Sequence, residues 1–202
     1  MTGRFVVLEG GDGTGKSTQM SRLVSRLRRL DVAVRETFEP GATGAGAVIR
    51  ELLLHSGEAI SPLAEALLMA ADRAQHLCEE VVPSLERGEW VVCDRYVPSS
   101  LVYQGVVRGV GVDTVELLNG VATSGLVPDL VVILDVADTT ARERVSARPD
   151  RLEAEGDAFQ ASVRDAYRRL AGARGWEIVD GTGAVEVVAG RVWALVEPLL
   201  AG

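Results

Sequence analysis

Residues 10–17 read Gly-Gly-Asp-Gly-Thr-Gly-Lys-Ser and match G-x-x-x-x-G-K-[ST], the pattern of the phosphate-binding P-loop. A short apolar run precedes them at 4–9, and after them apolar side chains recur at helical spacing as far as Leu30. A strand that enters a glycine loop and leaves it as a helix aims backbone N–H groups at phosphate oxygens. This arrangement predicts an α/β fold with a nucleoside triphosphate site near its N-terminus.

Lys16 is the single lysine of the chain, although lysine and arginine together number 21. An ammonium group is compact enough to enter a tight phosphate cradle that excludes a planar guanidinium. We therefore expect Lys16 to contact the β- and γ-phosphates of ATP and the Ser17 hydroxyl to ligate Mg²⁺. The predicted ATP-binding residues are Gly10, Gly11, Asp12, Gly13, Thr14, Gly15, Lys16, Ser17 and Thr18.

The composition limits what else the chain binds. At 202 residues it fits one domain, and its net charge of −8 argues against a nucleic-acid or anionic-membrane surface. The N-terminus leads straight into the first apolar run, so we expect no signal peptide, and no run reaches the ~20 residues of a membrane span. Cys78 and Cys93 lie in apolar contexts and are predicted to be buried free thiols. A cytoplasmic protein is the simplest interpretation.

Five short apolar runs, at 5–9, 32–38, 90–94, 130–135 and 176–180, alternate with helical patterns. This alternation predicts a five-stranded parallel sheet covered on both faces, the three-layer α/β/α arrangement of P-loop NTPases. One long helix is expected to begin at Ser61-Pro62 and another to end near Thr123. We interpret residues 1–202 as a single domain.

The segment 142–151 carries four arginines and a proline. A charge run of this kind is usually a solvated helix end. Beside a P-loop, it is better interpreted as an arginine-rich lid, about 142–156, that closes over the triphosphate.

Other classes of P-loop protein fit poorly. A GTPase needs N-K-x-D to read guanine, and a chain whose one lysine is Lys16 has no such motif.

The apolar run at 90–94 ends at Asp94, and Arg95 follows directly. A carboxylate there suits a magnesium-organising acid, and the arginine after it points to a second phosphate, on an acceptor. Ser99, Ser100, Tyr103 and Gln104 follow at helical spacing.

Several blocks together resemble the thymidylate kinase family, in its bacterial form. They are Asp-Arg-Tyr at 94–96 with Ser-Ser-Leu-Val-Tyr-Gln-Gly at 99–105, Glu-Pro-Gly-Ala-Thr at 39–43, Ala-Ala-Asp-Arg-Ala-Gln at 70–75 and Asp-Arg-Leu-Glu at 150–153. The resemblance implies a nucleoside monophosphate kinase that phosphorylates dTMP to dTDP with Mg²⁺ and ATP, and that forms a homodimer.

The resemblance also implies roles for particular residues. Lys16, Arg95 and the lid residues Arg148 and Arg151 are the expected catalytic residues, and Ser17, Asp12 and Asp94 are expected near the metal. Tyr103 is expected near the sugar carbon that lacks a 2′-hydroxyl. The predicted substrate-binding residues are Glu39, Pro40, Met69, Arg73, Arg95, Ser99, Ser100, Tyr103 and Gln104.

Two positions depart from the family pattern. Phe38 replaces an arginine, whose charge Arg50 could supply, and Met69 replaces the aromatic residue that commonly stacks on thymine. Two rival functions therefore stay open: a kinase of the same fold for another deoxynucleotide or a deoxynucleoside, and a regulatory ATPase that needs no acceptor.

His55 and His76 are interpreted as surface or helix-packing residues. Residues 180–183 form either an adenine-side loop or a plain turn.

The P-loop interpretation predicts that Lys16→Ala abolishes phosphoryl transfer while the fold stays intact, because the lysine contacts phosphate and not the core. Release of ADP measures the transfer, and circular dichroism checks the fold. Near-normal turnover in a folded Lys16→Ala protein would contradict the P-loop assignment.

Overall fold

The structure, a computed structural model, describes residues 3–57, 59–137 and 155–201. Its strands are β1 Phe5–Glu9, β2 Val34–Phe38, β3 Trp90–Asp94, β4 Leu130–Asp135 and β5 Glu177–Asp180. Its α-helices are α1 Lys16–Arg28, α2 Gly44–Leu54, α3 Pro62–His76, α4 Val82–Glu86, α5 Val97–Ser100, α6 Val112–Thr123, α7 Asp157–Arg174 and α8 Val185–Val196.

The strands form one parallel sheet in the order β2-β3-β1-β4-β5, which confirms the predicted fold class. β1 is central and pairs with β3 on one side and β4 on the other. All five of its residues are buried. Because every strand runs the same way, the loops that follow β1, β3 and β4 meet at one edge of the sheet.

Each face of the sheet supports its own apolar cluster. Phe5 and Val7 of β1 point to a layer formed by α3, α6 and α7, whereas Val6 and Leu8 point to α1 and α8. Alternating residues of a buried strand must face opposite layers, so the central strand is apolar from Phe5 to Leu8. The three-layer arrangement follows from this one pattern.

The long helix predicted from Ser61 is present. The Ser61 side chain caps α3 by accepting a hydrogen bond from the Ala64 N–H at 3.4 Å. After α3 the chain continues through a π-helical turn, Leu77–Val81, into α4. A second π-helical stretch, Leu101–Val107, extends α5. Such turns recur at functional sites, and this one carries Tyr103 and Gln104.

The prediction for the two cysteines is wrong in one case. Cys93 is buried in β3, but Cys78 is exposed, because Leu77 and Val81 are the residues of the turn after α3 that face the core. No helix in the described part of the chain is both long and apolar enough to cross a bilayer. The predicted lid, Arg148 and Arg151 included, falls almost wholly in 138–154, outside the described residues.

Candidate active site

The loop between β1 and α1 adopts the conformation that the P-loop pattern requires. Gly13 and Gly15 have φ of 74° and 93°, in the left-handed region that favours glycine. Gly10 has φ 134°, and a Cβ on it would lie 2.5 Å from the Leu134 carbonyl oxygen of the neighbouring strand. Only glycine fits there, because β4 packs directly against the loop.

Lys16 starts α1 and lies over this loop. Its side chain is buried, and its Nζ donates hydrogen bonds to the carbonyl oxygens of Gly10 at 3.0 Å and Gly11 at 2.8 Å. Burial and the nearby Arg95 cation both lower the pKa of Lys16, while Asp94 and Asp12 raise it and only partly compensate. An incoming phosphate anion would add the negative charge that stabilises the protonated Lys16.

A cavity of about 760 Å³ opens in front of the loop, and we call it the P-loop pocket. Seven of the nine predicted ATP-binding residues, Asp12 to Thr18, line it, whereas Gly10 and Gly11 lie behind the lysine. Gly181 and Gly183 line its far side together with Val185. Their position beside the P-loop favours the nucleotide-side interpretation of the loop 180–183 over a plain turn.

Two of the three residues expected near the metal, Ser17 and Asp94, come together at the edge of the sheet. Ser17 Oγ donates to Asp94 Oδ2 at 3.4 Å, across the gap between α1 and β3. The other oxygen, Asp94 Oδ1, is buried and has no hydrogen-bond partner among the described residues. Hydroxyl and carboxylate oxygens suit Mg²⁺, so these residues fit that ion. The described ranges contain no cluster of three or more His, Cys, Asp or Glu side chains that could hold a metal.

Asp12 is engaged differently. Its Oδ1 accepts a hydrogen bond from Arg95 Nη2, and the two side chains form an ion pair. Burial alone raises the pKa of the Asp12 carboxyl, but the Arg95 and Lys16 cations outweigh it, so the pKa lies below its usual value. Asp12 is therefore an anion at neutral pH beside the P-loop.

A second, smaller cavity of about 160 Å³ lies next to the P-loop pocket, and we call it the inner pocket. All nine residues predicted to bind the substrate line it, and the remaining lining residues are Asp12, Arg50 and Leu54. The two pockets share four residues: Asp12, Glu39, Arg50 and Arg95. The shared wall thus carries two arginines and two carboxylates.

The inner end of this pocket is built around Arg73. The side chain is 2% exposed, and its Nε donates to Glu39 Oε2 at 2.8 Å. Its Nη1 donates to Ser100 Oγ at 3.0 Å and also to Asn119 Oδ1. Charge pairing and several hydrogen bonds are what a buried guanidinium needs, so Arg73 is fixed rigidly in place.

The structure adds residues that sequence reasoning missed. His76 is completely buried, with Nδ1 2.8 Å from Glu39 Oε1 and Nε2 2.6 Å from Thr37 Oγ1, so it braces Glu39. Glu65 is also buried, and its Oε1 accepts from Gln104 Nε2 at 2.8 Å. Both partners lie more than thirty residues away in sequence. His55, by contrast, is exposed as predicted.

Phe38 and Met69, the two departures from the family pattern, line different pockets. Phe38 is 43% exposed and lines the P-loop pocket, and the Arg50 guanidinium lies 5.9 Å from its ring centre. Arg50 donates to the Pro40 carbonyl oxygen at 2.8 Å and is part of the shared wall. A cation is therefore present beside Phe38. Met69 lies in the inner pocket as the sequence predicts.

Comparison with known proteins agrees with this geometry. The family model described as thymidylate kinase matches residues 8–192. A thymidylate kinase of Leifsonia xyli is 49% identical over 194 residues, covering 94% of this chain and 92% of that protein. A Synechococcus thymidylate kinase is 46% identical over 198 residues, with 97% and 95% covered. The thymidylate kinase of Methylococcus capsulatus is 42% identical over 204 residues, with 99% and 98% covered.

One buried carboxyl in this region predicts a pH effect on stability. Asp72 is 1% exposed and accepts from the Gly41 N–H at 2.9 Å. Burial, and then the Glu39 anion, raise its pKa from 3.8 to about 6. Because the folded chain holds this proton more tightly, the carboxyl's contribution to the free energy of unfolding is full below pH 3.8 and is lost as the pH rises through about 6.

We therefore expect the free energy of unfolding of the wild type, relative to Asp72→Asn, to fall as the pH rises across that window. Urea unfolding of both proteins at closely spaced pH values measures it. Asp113→Asn, which removes an exposed carboxyl from α6, is the matched control. A difference between wild type and Asp72→Asn that does not change with pH would contradict the buried, proton-binding state of Asp72.

Proposed function

The chain belongs to the thymidylate kinase family, so it is an ATP-dependent kinase that phosphorylates dTMP to dTDP. We propose that its two pockets hold the two substrates. ATP occupies the P-loop pocket and dTMP the inner pocket. This proposal rests on the wall that the two pockets share, which is formed by Asp12, Glu39, Arg50 and Arg95. Two cavities that meet at cationic side chains suit transfer of a phosphoryl group from one ligand to the other.

The donor side follows from the P-loop geometry. Its amides and the start of α1 bind the β- and γ-phosphates, and Lys16 turns from the Gly10 and Gly11 carbonyls to the phosphate oxygens. The base lies toward Gly181, Gly183 and Val185. Ser17 and Asp94 would hold Mg²⁺, with Asp12 near it. The ion would supply positive charge that neutralises the phosphates during transfer.

The acceptor side is ordered by charge. The dTMP phosphate has to lie near the donor, so it binds at the shared wall against Arg95 and Arg50. The thymine base then extends inward to Arg73, Ser100 and Gln104, whose donors and acceptors suit the O4 and N3–H edge of a thymine. Met69 and Leu54 supply the apolar surface against its faces.

Tyr103 lies between the two ends of the acceptor site. Its ring centre is 5.3 Å from the Arg95 guanidinium, and the ring lines the inner pocket. This position is consistent with the predicted contact to the sugar. A ring packed against the carbon that lacks a 2′-hydroxyl leaves no room for ribose, so Tyr103 would select deoxynucleotides.

Catalysis on this account is alignment plus charge neutralisation. The transferred group carries charge on its outer oxygens and needs little covalent assistance from the protein. Arg95 is held in place by its ion pair with Asp12, and Lys16, once turned toward the phosphates, adds a second positive charge beside the transferred group. We propose that Arg148 and Arg151 add further positive charge when the segment 142–156 closes, and that closure excludes water from the site.

We further propose that the enzyme is a homodimer. Three neighbouring helices, α2, α3 and α6, each expose two apolar residues one turn apart. These residues are Val48 and Leu52, Leu63 and Leu67, and Leu117 and Val121, with exposures from 38% to 77%. An apolar surface on three adjacent helices, the α2–α3–α6 face, is suited to a second copy of the chain.

A cytoplasmic location stays a prediction from the sequence.

The dimer proposal predicts that Leu117→Glu converts the protein to a monomer, because a charge would be buried at the interface. Sedimentation velocity measures the mass. Leu30→Glu is the matched control, since Leu30 is 51% exposed but lies after α1, away from this face. A wild type that sediments as a monomer, or a Leu117→Glu protein that stays dimeric, would contradict the proposal.

The assignment of substrates is tested by release of ADP from Mg²⁺-ATP with a panel of acceptors: dTMP, dUMP, dCMP, dGMP, thymidine and none. We expect dTMP to give the highest kcat/KM, and thymidine to be poor because it brings no phosphate to Arg95 and Arg50. Turnover led by another acceptor would show that Met69, the departure from the family pattern that lines the inner pocket, changes the base specificity. Turnover without any acceptor would favour a regulatory ATPase.

A further inference from the structure

Glu9, the last residue of β1, is a completely buried carboxylate that lines neither pocket. Its Oε1 accepts hydrogen bonds from the Tyr96 N–H at 2.8 Å and the Ser99 N–H at 3.2 Å. Its Oε2 accepts from Ser99 Oγ and from Tyr167 Oη, both at 2.7 Å. Every partner donates, which is the pattern of an ionised carboxylate.

These contacts surround the turn that carries Arg95. Arg95 has φ 73°, a left-handed conformation that is costly for a residue with a side chain and persists only where neighbouring contacts enforce it. Its own N–H donates to the Leu8 carbonyl oxygen at 3.0 Å. The next residue, Tyr96, is held by Glu9. Glu9 thus anchors the backbone on the C-terminal side of the strained residue.

The same carboxylate reaches the Arg95 side chain through Ser99. Arg95 Nη1 donates to Ser99 Oγ at 3.1 Å and to the Gly10 carbonyl oxygen at 3.2 Å. Ser99 Oγ accepts this hydrogen bond through a lone pair, while its own hydrogen is donated to Glu9. Glu9 therefore sets the direction of the serine hydroxyl, and the serine helps to set the direction of the guanidinium.

Tyr167 brings a third element into this network. It lies in the middle of α7, packs in the same apolar cluster as Tyr96, and is 2% exposed. Its hydroxyl lies 2.7 Å from Glu9 Oε2 and 3.0 Å from Ser99 Oγ. The placement of α7 is thereby tied to the placement of Arg95.

We propose that Glu9 and Tyr167 are positioning residues that hold Arg95 in the orientation the acceptor phosphate requires. This inference rests on the proposed function, in which Arg95 binds the dTMP phosphate. Neither residue touches substrate; both act through Ser99 and the backbone at 95–96. Burial raises the pKa of Glu9, while Arg95 and the donated hydrogen bonds lower it and offset part of that cost.

The mildest test is Tyr167→Phe, which removes one oxygen from the network. We expect the Kd of dTMP, measured by calorimetry, to rise about tenfold, because a hydrogen bond to a charged group is lost and Arg95 is less well directed. The KM of ATP should change by less than about twofold. Glu9→Gln, similar in size but uncharged, should lower kcat/KM for dTMP by about 10²-fold.

Tyr96→Phe is the matched control. Tyr96 is also a buried tyrosine, but its hydroxyl donates to the Leu126 carbonyl oxygen at 3.0 Å, outside the network around Glu9. Loss of that hydroxyl tests for a general loss of packing or stability. We expect it to leave the Kd of dTMP within about twofold of the wild-type value.

A double-mutant cycle with Arg95→Ala separates positioning from a structural role. If Tyr167 acts through Arg95, adding Tyr167→Phe to Arg95→Ala should cause no further loss of dTMP binding. An undiminished loss in the Arg95→Ala background, equal effects on dTMP and ATP, or no effect of Tyr167→Phe would each overturn the inference. A wild type that does not bind or phosphorylate dTMP would instead contradict the proposed function.

Discussion

The ion pair between Asp12 and Arg95 is the interaction on which the rest of the site depends. Asp12 belongs to the loop after β1 and Arg95 to the turn after β3, and the two strands are neighbours with Leu8 opposite Asp94. The pair exists because a parallel sheet brings these two strand ends to one edge. It forms the boundary between the P-loop pocket and the inner pocket, so the register of β1 and β3 decides where two substrates can meet.

The site also shows how an acidic protein concentrates positive charge. The chain has a net charge of −8, yet Lys16, Arg50, Arg73 and Arg95 converge on two adjoining cavities. Carboxylates make this possible: the buried Glu39 pairs with Arg73, and the partly buried Asp12 pairs with Arg95. Paired cations are held in place before the substrates arrive, so little reorganisation is needed during transfer.

Much of this could be predicted from the sequence, because local pattern determines it. The strand–loop–helix unit and the five strands follow from apolar runs and glycine spacing, and the resemblance of short motifs to a known family implies nine of the twelve inner-pocket residues. The bracing residues could not be predicted. Glu9 meets Tyr167 across 158 positions of sequence, and His76 meets Glu39 across 37, so tertiary packing alone brings these pairs together. The prediction that Cys78 is buried was wrong, because apolar neighbours in sequence do not decide which side of a helical turn faces the core.

The central claim is that the γ-phosphoryl group passes directly between two pockets that share one wall. The most direct test is the stereochemical course of transfer from ATP that is chiral at the γ-phosphorus, made with ¹⁶O, ¹⁷O and ¹⁸O. A single in-line displacement predicts inversion of configuration in the dTDP formed. Retention would require an even number of displacements, such as a phosphorylated enzyme intermediate, and would contradict the account.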